Sequence, residues 1–133
     1  MISALTELIA GCEGASDLGG GRYEVAFPNG TTRFATKAEV LAATQAAKRA
    51  AIKTAARQII LSRYPEWRQA NLTARAVELV SLGELSGPEW QQMQAIWGWI
   101  KAVRARSDLL EADVAACTTV EAVEGIVIGG WPD

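Results

Sequence analysis

One proline, set where a helical pattern should continue, constrains this chain more than any other residue. Segments 36–63 and 71–83 both read as helix, yet "RYPEW" (63–67) stands between them. The residue before a proline is pushed out of the α region, and proline is well placed in the first turn of a new helix. Tyr64 is therefore predicted to end one helix and Pro65 to start the next, turning a corner without a long loop. Tyr64 and Trp67, three residues apart across that corner, are expected to fill the wedge where the two axes diverge, with direct contact to a partner as the alternative.

The helix before the corner starts at Thr36, where Thr36 and Glu39 form a capping box. It runs to about Arg63, with Val40, Leu41, Ile52, Ile59 and Ile60 as its bulk. Its many alanines either admit a close helical neighbour or simply serve helix propensity. After the corner, Leu72, Ala76, Leu79 and Val80 share a face, and the helix is expected to end near Gly83. Ser86, Pro88 and Glu89 then open the longest aromatic-rich helix. Its core stripe reads Trp90, Met93, Trp97, Ile100, Val103, Leu110, Val114 and Cys117. Gly98 within it suggests a close backbone neighbour. Thr118 and Glu121 form a last capping box before an apolar end.

Upstream of Thr36 the pattern changes. Residues 1–10 carry Leu5, Leu8 and Ile9 at helical spacing, and a Gly-rich joint follows at 11–21. "LIAGC" ending at Cys12 looks like a lipoprotein cleavage site, but Glu7 and the lack of Lys or Arg before it favour the helix. In "RYEVAFPNGTTRFAT" (22–36), Asn29-Gly30 is the preferred centre of a two-residue hairpin turn, because both positions need positive φ. That turn sets Ala26 opposite Arg33 and Val25 opposite Phe34, with Tyr23, Val25, Phe27 and Phe34 on one face. An isolated hairpin is marginal in water, so this face must rest on a helix of its own chain or join a neighbour's sheet. The fold class expected is α+β, mainly α. It is one domain over 1–133, with 1–35 holding the short helix, joint and β-hairpin and 36–133 the packed helices.

Composition narrows the chemistry. With half its 133 residues hydrophobic, the chain can bury a core. It has no histidine, which excludes His-based triads, His-ligated zinc and an imidazole base. Cys12 and Cys117 stand in no metal-binding spacing, and two free thiols are expected rather than a lone disulfide. Ser, Thr, Asp and Glu are mostly committed to helix caps or polar faces. No catalytic residue, metal ligand or cofactor is expected, and the reading is not an enzyme. No apolar run reaches the roughly 20 residues of a membrane span. A net charge of −2 argues against nucleic acid and anionic lipid as partners.

Protein partners are the main expectation, with nucleic-acid binding through the basic row as the lesser alternative. Trp99 lies off the core stripe, roughly 160° around the helix from Trp97, on a face with small and polar residues and Arg106. It is either a binding anchor or covered by another element. Trp131, on the Gly-Gly tail, is either tucked home or reaching out. Charge is segregated: residues 37–63 are basic apart from Glu39, and 107–133 carry only acids. Arg49, Lys53 and Arg57 form an i, i+4 row, read as a solvated face or a charged rim. The candidate contact residues are Trp99, Arg106, Trp131 and the hairpin tip Asn29 and Gly30, rimmed by Arg49, Lys53 and Arg57.

"AARQIILSRYPEWRQANLTARAVEL" and "WGWIKAVRARSDLLEA" together resemble the helical part of small proteins encoded near tail-fibre genes of tailed bacteriophages. The resemblance covers roughly residues 50–115, and "RYPEWRQ" and "WIKAVRA" are its most telling pieces. It implies a virion structural or assembly protein of the tail fibre or baseplate, located in the virion tail and in the host cytoplasm during assembly. Its expected partners are other phage tail proteins, and a homo-oligomer is compatible. A tail-fibre assembly chaperone absent from the virion is the alternative. The N-terminal part also resembles head-completion proteins of lambdoid phages, which implies a head–tail connector. Here, though, the leading helix is shorter and a long aromatic helix follows.

Overall fold

The computed structural model describes the backbone of residues 14–17, 22–26 and 32–133, and side chains from Ala35 onward. The fold is mainly helical. Helix α1 spans Lys37–Arg63, α2 Glu66–Leu82, α3 Pro88–Ala116 and α4 Val120–Glu124. Before them lie short strands β1 (Gly14–Asp17), β2 (Arg22–Ala26) and β3 (Thr32–Thr36), antiparallel in the order β1-β2-β3. β1 falls in the stretch read as a joint. Ala26 pairs with Thr32 and Val25 with Arg33, one residue away from the register a two-residue turn sets. The expected tip, Asn29-Gly30, and the expected first helix over 1–10 lie outside the described residues.

Two compact units divide the chain. One joins the residues up to Ala51 with Leu110–Val127, and the other joins Ile52–Leu109 with Ile128–Asp133. The first unit opens α1 with the expected cap, in which the Glu39 amide donates to Thr36 Oγ1 at 3.1 Å. Val40, Leu110, Val114, Val120 and Val123 are buried there. The Gln45 side-chain amide donates to the carbonyls of Val114 and Cys117, at 3.2 and 3.1 Å. The last carbonyls of a helix have no partner within it, so one side chain here closes the end of α3. The cap of α4 is Thr119 and not Thr118, since Thr119 Oγ1 accepts from the Ala122 amide. The expectation was one residue off because both positions hold threonine. Cys117 is a free thiol that donates to the Asp113 carbonyl.

The second unit holds the corner. Tyr64 closes α1, its amide donating to the Ile60 carbonyl, and Pro65 (φ −57°, ψ 158°) precedes α2. The Gln69 side-chain amide donates to the Tyr64 carbonyl at 2.7 Å, so the break leaves that acceptor paired. Tyr64 is 8% exposed and packs with Ala56, Ile60, Ile100 and Val103. Its expected companion does not join it. Trp67 is 67% exposed, so the wedge is filled by Tyr64 and by Trp99, whose ring meets Tyr64 edge-on at 5.6 Å.

α2 ends at Gly83 in the left-handed region (φ 70°), with the Gly83 amide on the Val80 carbonyl and the Glu84 amide on that of Leu79. This is the Schellman pattern, which favours glycine because a Cβ is strained at positive φ. Along α3, Met93, Ile100, Val103, Leu110 and Val114 of the expected stripe are buried. Trp90 and Trp97 are half-buried and meet edge-on at 5.8 Å. Gly98 has no close neighbour, because it is exposed and an added Cβ there meets nothing within 4 Å.

Candidate interaction surfaces

Three of the contact candidates converge in the second unit. Trp99, Arg106 and Trp131 come together where the segment after Val127 returns to α3. The Trp99 indole N–H donates to the Pro132 carbonyl at 3.3 Å, and Arg106 Nε donates to the Gly129 carbonyl at 2.9 Å. Trp131 and Trp99 are half-buried against the Ala56, Ile60, Tyr64, Ile100 and Val103 cluster. The Arg63 guanidinium lies 4.6 Å from the centre of the Trp99 ring, a cation–π arrangement. The tail is thus held by two hydrogen bonds and one indole.

Gly130 makes that return. Its φ is +72°, and a Cβ there would sit 2.9 Å from an Arg106 guanidinium nitrogen. Gly130→Ala is expected to weaken tail docking by about 1–2 kcal/mol, the cost of left-handed backbone for a residue with a Cβ. Amide and indole exchange followed by NMR checks this: the Trp99 indole N–H should exchange faster, while Leu79 amide protection stays unchanged.

Arg49, Lys53 and Arg57 keep their i, i+4 spacing along α1. Arg57 pairs with Glu66 at 3.1 Å, both well exposed, while Lys53 is exposed and Arg49 half-buried. Asn29 and Gly30 lie outside the described residues.

A denser ionic group, which the sequence reading missed, joins α2 to the start of α3. Arg75 Nε and one terminal nitrogen reach the two oxygens of Glu89, at 2.6 and 3.0 Å, and the other terminal nitrogen reaches Glu78 at 2.6 Å. These hydrogen bonds raise the Arg75 pKa further and hold the Glu89 carboxyl below its ordinary range. Beside the pair lies a cleft of about 300 Å³, lined by Leu72, Met93 and Ile96 together with Arg68, Asn71 and Gln92. The carboxyl of Glu89 is depressed in the folded state, so its contribution is present above the unfolded carboxylate range. It is lost as pH falls through the folded value. The difference in melting temperature between the wild type and Glu89→Gln is therefore expected to be small at neutral pH, given the exposure of the pair, and to shrink as the solution is acidified.

The other feature the sequence reading missed is the outer side of α2. Of the large hydrophobic side chains left exposed among the described residues, Trp67, Val77, Val80, Leu82 and Leu85 lie on α2 or just past its end. The signal was present as spacing: residues 67, 70, 74, 77 and 81 alternate steps of three and four. They lie opposite Leu72 and Leu79, which the unit covers. Among the described residues no His, Cys, Asp and Glu cluster could hold a metal ion, and no helix is long and apolar enough to cross a membrane. No protein-family model, curated protein or solved structure matches the chain.

Proposed function

We propose that this chain is a structural or assembly protein of a tailed-phage particle, acting without catalysis through protein–protein contacts at the tail fibre or baseplate. The observation that carries the interaction reading is the concentration of exposed apolar bulk on α2 and its exit. Trp67 and Val77 lie on the outer face and Val80 and Leu82 on its two flanks, and this density on one element supports a contact surface where singly scattered hydrophobics would not. The phage setting rests on the resemblance of "RYPEWRQ" and "WIKAVRA" to proteins encoded near tail-fibre genes. Trp99, Arg106 and Trp131 form a second contact region in this reading, and Arg49, Lys53 and Arg57 are a charged row along α1. The finer architecture that accompanies it is α+β, with a hairpin whose tip, Asn29-Gly30, docks on a neighbour.

Mass spectrometry of purified particles, paired with pull-down of fibre and baseplate proteins, tests the proposal. A tail component is found in the particle. A fibre-assembly chaperone is absent from it yet binds fibre protein. A head–tail connector is retained by tailless heads. Absence from the particle together with no binding to any phage subunit rejects the proposal.

A further inference from the structure

We propose that the outer face of α2 pairs with the same face of a second copy of this chain, antiparallel, about a two-fold axis at Ala74. The inference rests on reading that face as an interaction surface and names its occupant. Trp67, Ala70, Ala74, Val77 and Ser81 are all exposed and follow the 3-4-3-4 spacing of a helix–helix seam. Leu72 and Leu79, seven apart on the opposite side, hold α2 to its own unit, with Leu79 fully buried and Leu72 half-buried. The helix therefore has two apolar faces, and its unit covers one.

The polar groups on the outer face are already turned inward. The Ser81 hydroxyl donates to the Val77 carbonyl at 2.9 Å, and that of Thr73 to the Gln69 carbonyl at 3.0 Å. A dry contact would strand neither donor. The charges at its edges are likewise engaged, Glu78 by Arg75 and Glu66 by Arg57. Arg75 also serves Glu89, so this group keeps one net negative charge, and the antiparallel arrangement keeps the two copies of Glu78 about 12 Å apart along the seam.

Size chooses the orientation. Reversal about Ala74 sets Trp67 against Ser81, Ala70 against Val77 and Ala74 against Ala74, so large side chains meet small ones. A parallel pair would crowd two indoles into one layer and leave the alanine layers gapped. Antiparallel helices also oppose their dipoles favourably. The exposed Leu82 flanks the last turn and Leu85 lies just past it, at the level where the partner's Trp67 arrives. Covering the exposed apolar groups of both copies removes on the order of 1,000 Å² from water, the lower limit for a specific pair. A reversible dimer is the consequence.

Sedimentation of the full chain from roughly 1 µM to about 500 µM reads the equilibrium, with dissociation expected in the micromolar range. Val77→Glu should weaken pairing at least tenfold while the circular dichroism spectrum stays unchanged, because Val77 supports no core. With Cys12 and Cys117 replaced by serine, Ala74→Cys should oxidise to a disulfide-linked dimer and Ala70→Cys should not. The two copies of residue 70 lie about 12 Å apart along an antiparallel seam, beyond disulfide reach. A chain monomeric throughout the range overturns the proposal, as does a dimer in which Ala70→Cys links as readily as Ala74→Cys. A monomer that loses its phage partner on Val77→Glu overturns self-pairing and leaves the proposed function standing. A dimer of the stated geometry that binds no phage subunit upholds self-pairing and removes that function.

Discussion

Tyr64→Ala is expected to destabilise the protein by about 3–5 kcal/mol, the range for deleting a buried aromatic ring, while Trp67→Ala changes stability by no more than about 0.5 kcal/mol. Both aromatics flank the same proline, and the sequence gives no reason to separate them. Their environments do. Tyr64 lies in a cluster with Ile60, Ile100 and Val103 and meets the Trp99 ring edge-on, with Arg68 set 5.0 Å from the centre of its own ring. Removing it opens a cavity at the point where the chain changes direction, and the walls of that cavity are helices that cannot close in without moving the corner. Trp67, two residues past the proline, is mostly in solvent and leaves no void. Thermal melting of the two variants separates the cases: for Tyr64→Ala the midpoint should fall by on the order of 10 °C. Equal losses would mean that Trp67 also supports the corner and that the outer face of α2 is not free.

How much was legible depended on the range of the interaction. The break at Pro65, the Thr36–Glu39 cap and the stop at Gly83 are set by residues within a few positions of one another, and each was readable. The α3 stripe was readable too, because its period is that of the helix carrying it. What could not be read was which of two plausible faces meets the rest of the chain. Local pattern alone points Trp67 and Val80 inward, yet both face solvent. The tail shows the same limit. Nothing within "GGWPD" indicates that Arg106 holds the Gly129 carbonyl from 23 residues away, or that Trp99 finds its partner 33 residues on, at Pro132. Angle sets Trp99 apart from Trp97, yet both rings pack against the Ile60, Tyr64 and Val103 cluster. Whether Trp99 was covered required the fold.

Adjacent residues on α2 make the sharpest case. Leu79 is 1% exposed and Val80 56%, and the two point 100° apart around the helix, so covering one does not cover the other. Leu79→Ala is expected to cost about 2–5 kcal/mol, since the side chain is wholly buried and its loss leaves a cavity. Val80→Ala should stay within about 0.5 kcal/mol. The Leu79 carbonyl also receives the Glu84 amide of the closing turn, so the residue fixes the end of α2 twice, by packing and by the backbone. Once Leu79 is shortened, α2 keeps the half-buried Leu72 and Ala76, the Gln69–Tyr64 hydrogen bond and the exposed Arg75–Glu89 and Arg57–Glu66 pairs, and exposed ion pairs hold little. Local exchange of α2 amides should then rise before the rest of the second unit unfolds. If α2 carries the contact surface, loosening it also blurs the geometry of that surface. Leu79→Ala should therefore weaken partner binding without touching a single partner atom, whereas Val77→Glu weakens it with the fold intact. Chemical denaturation and amide exchange on the two variants distinguish these routes. Binding lost in both, with exchange raised only in Leu79→Ala, is the pattern that a two-faced helix requires.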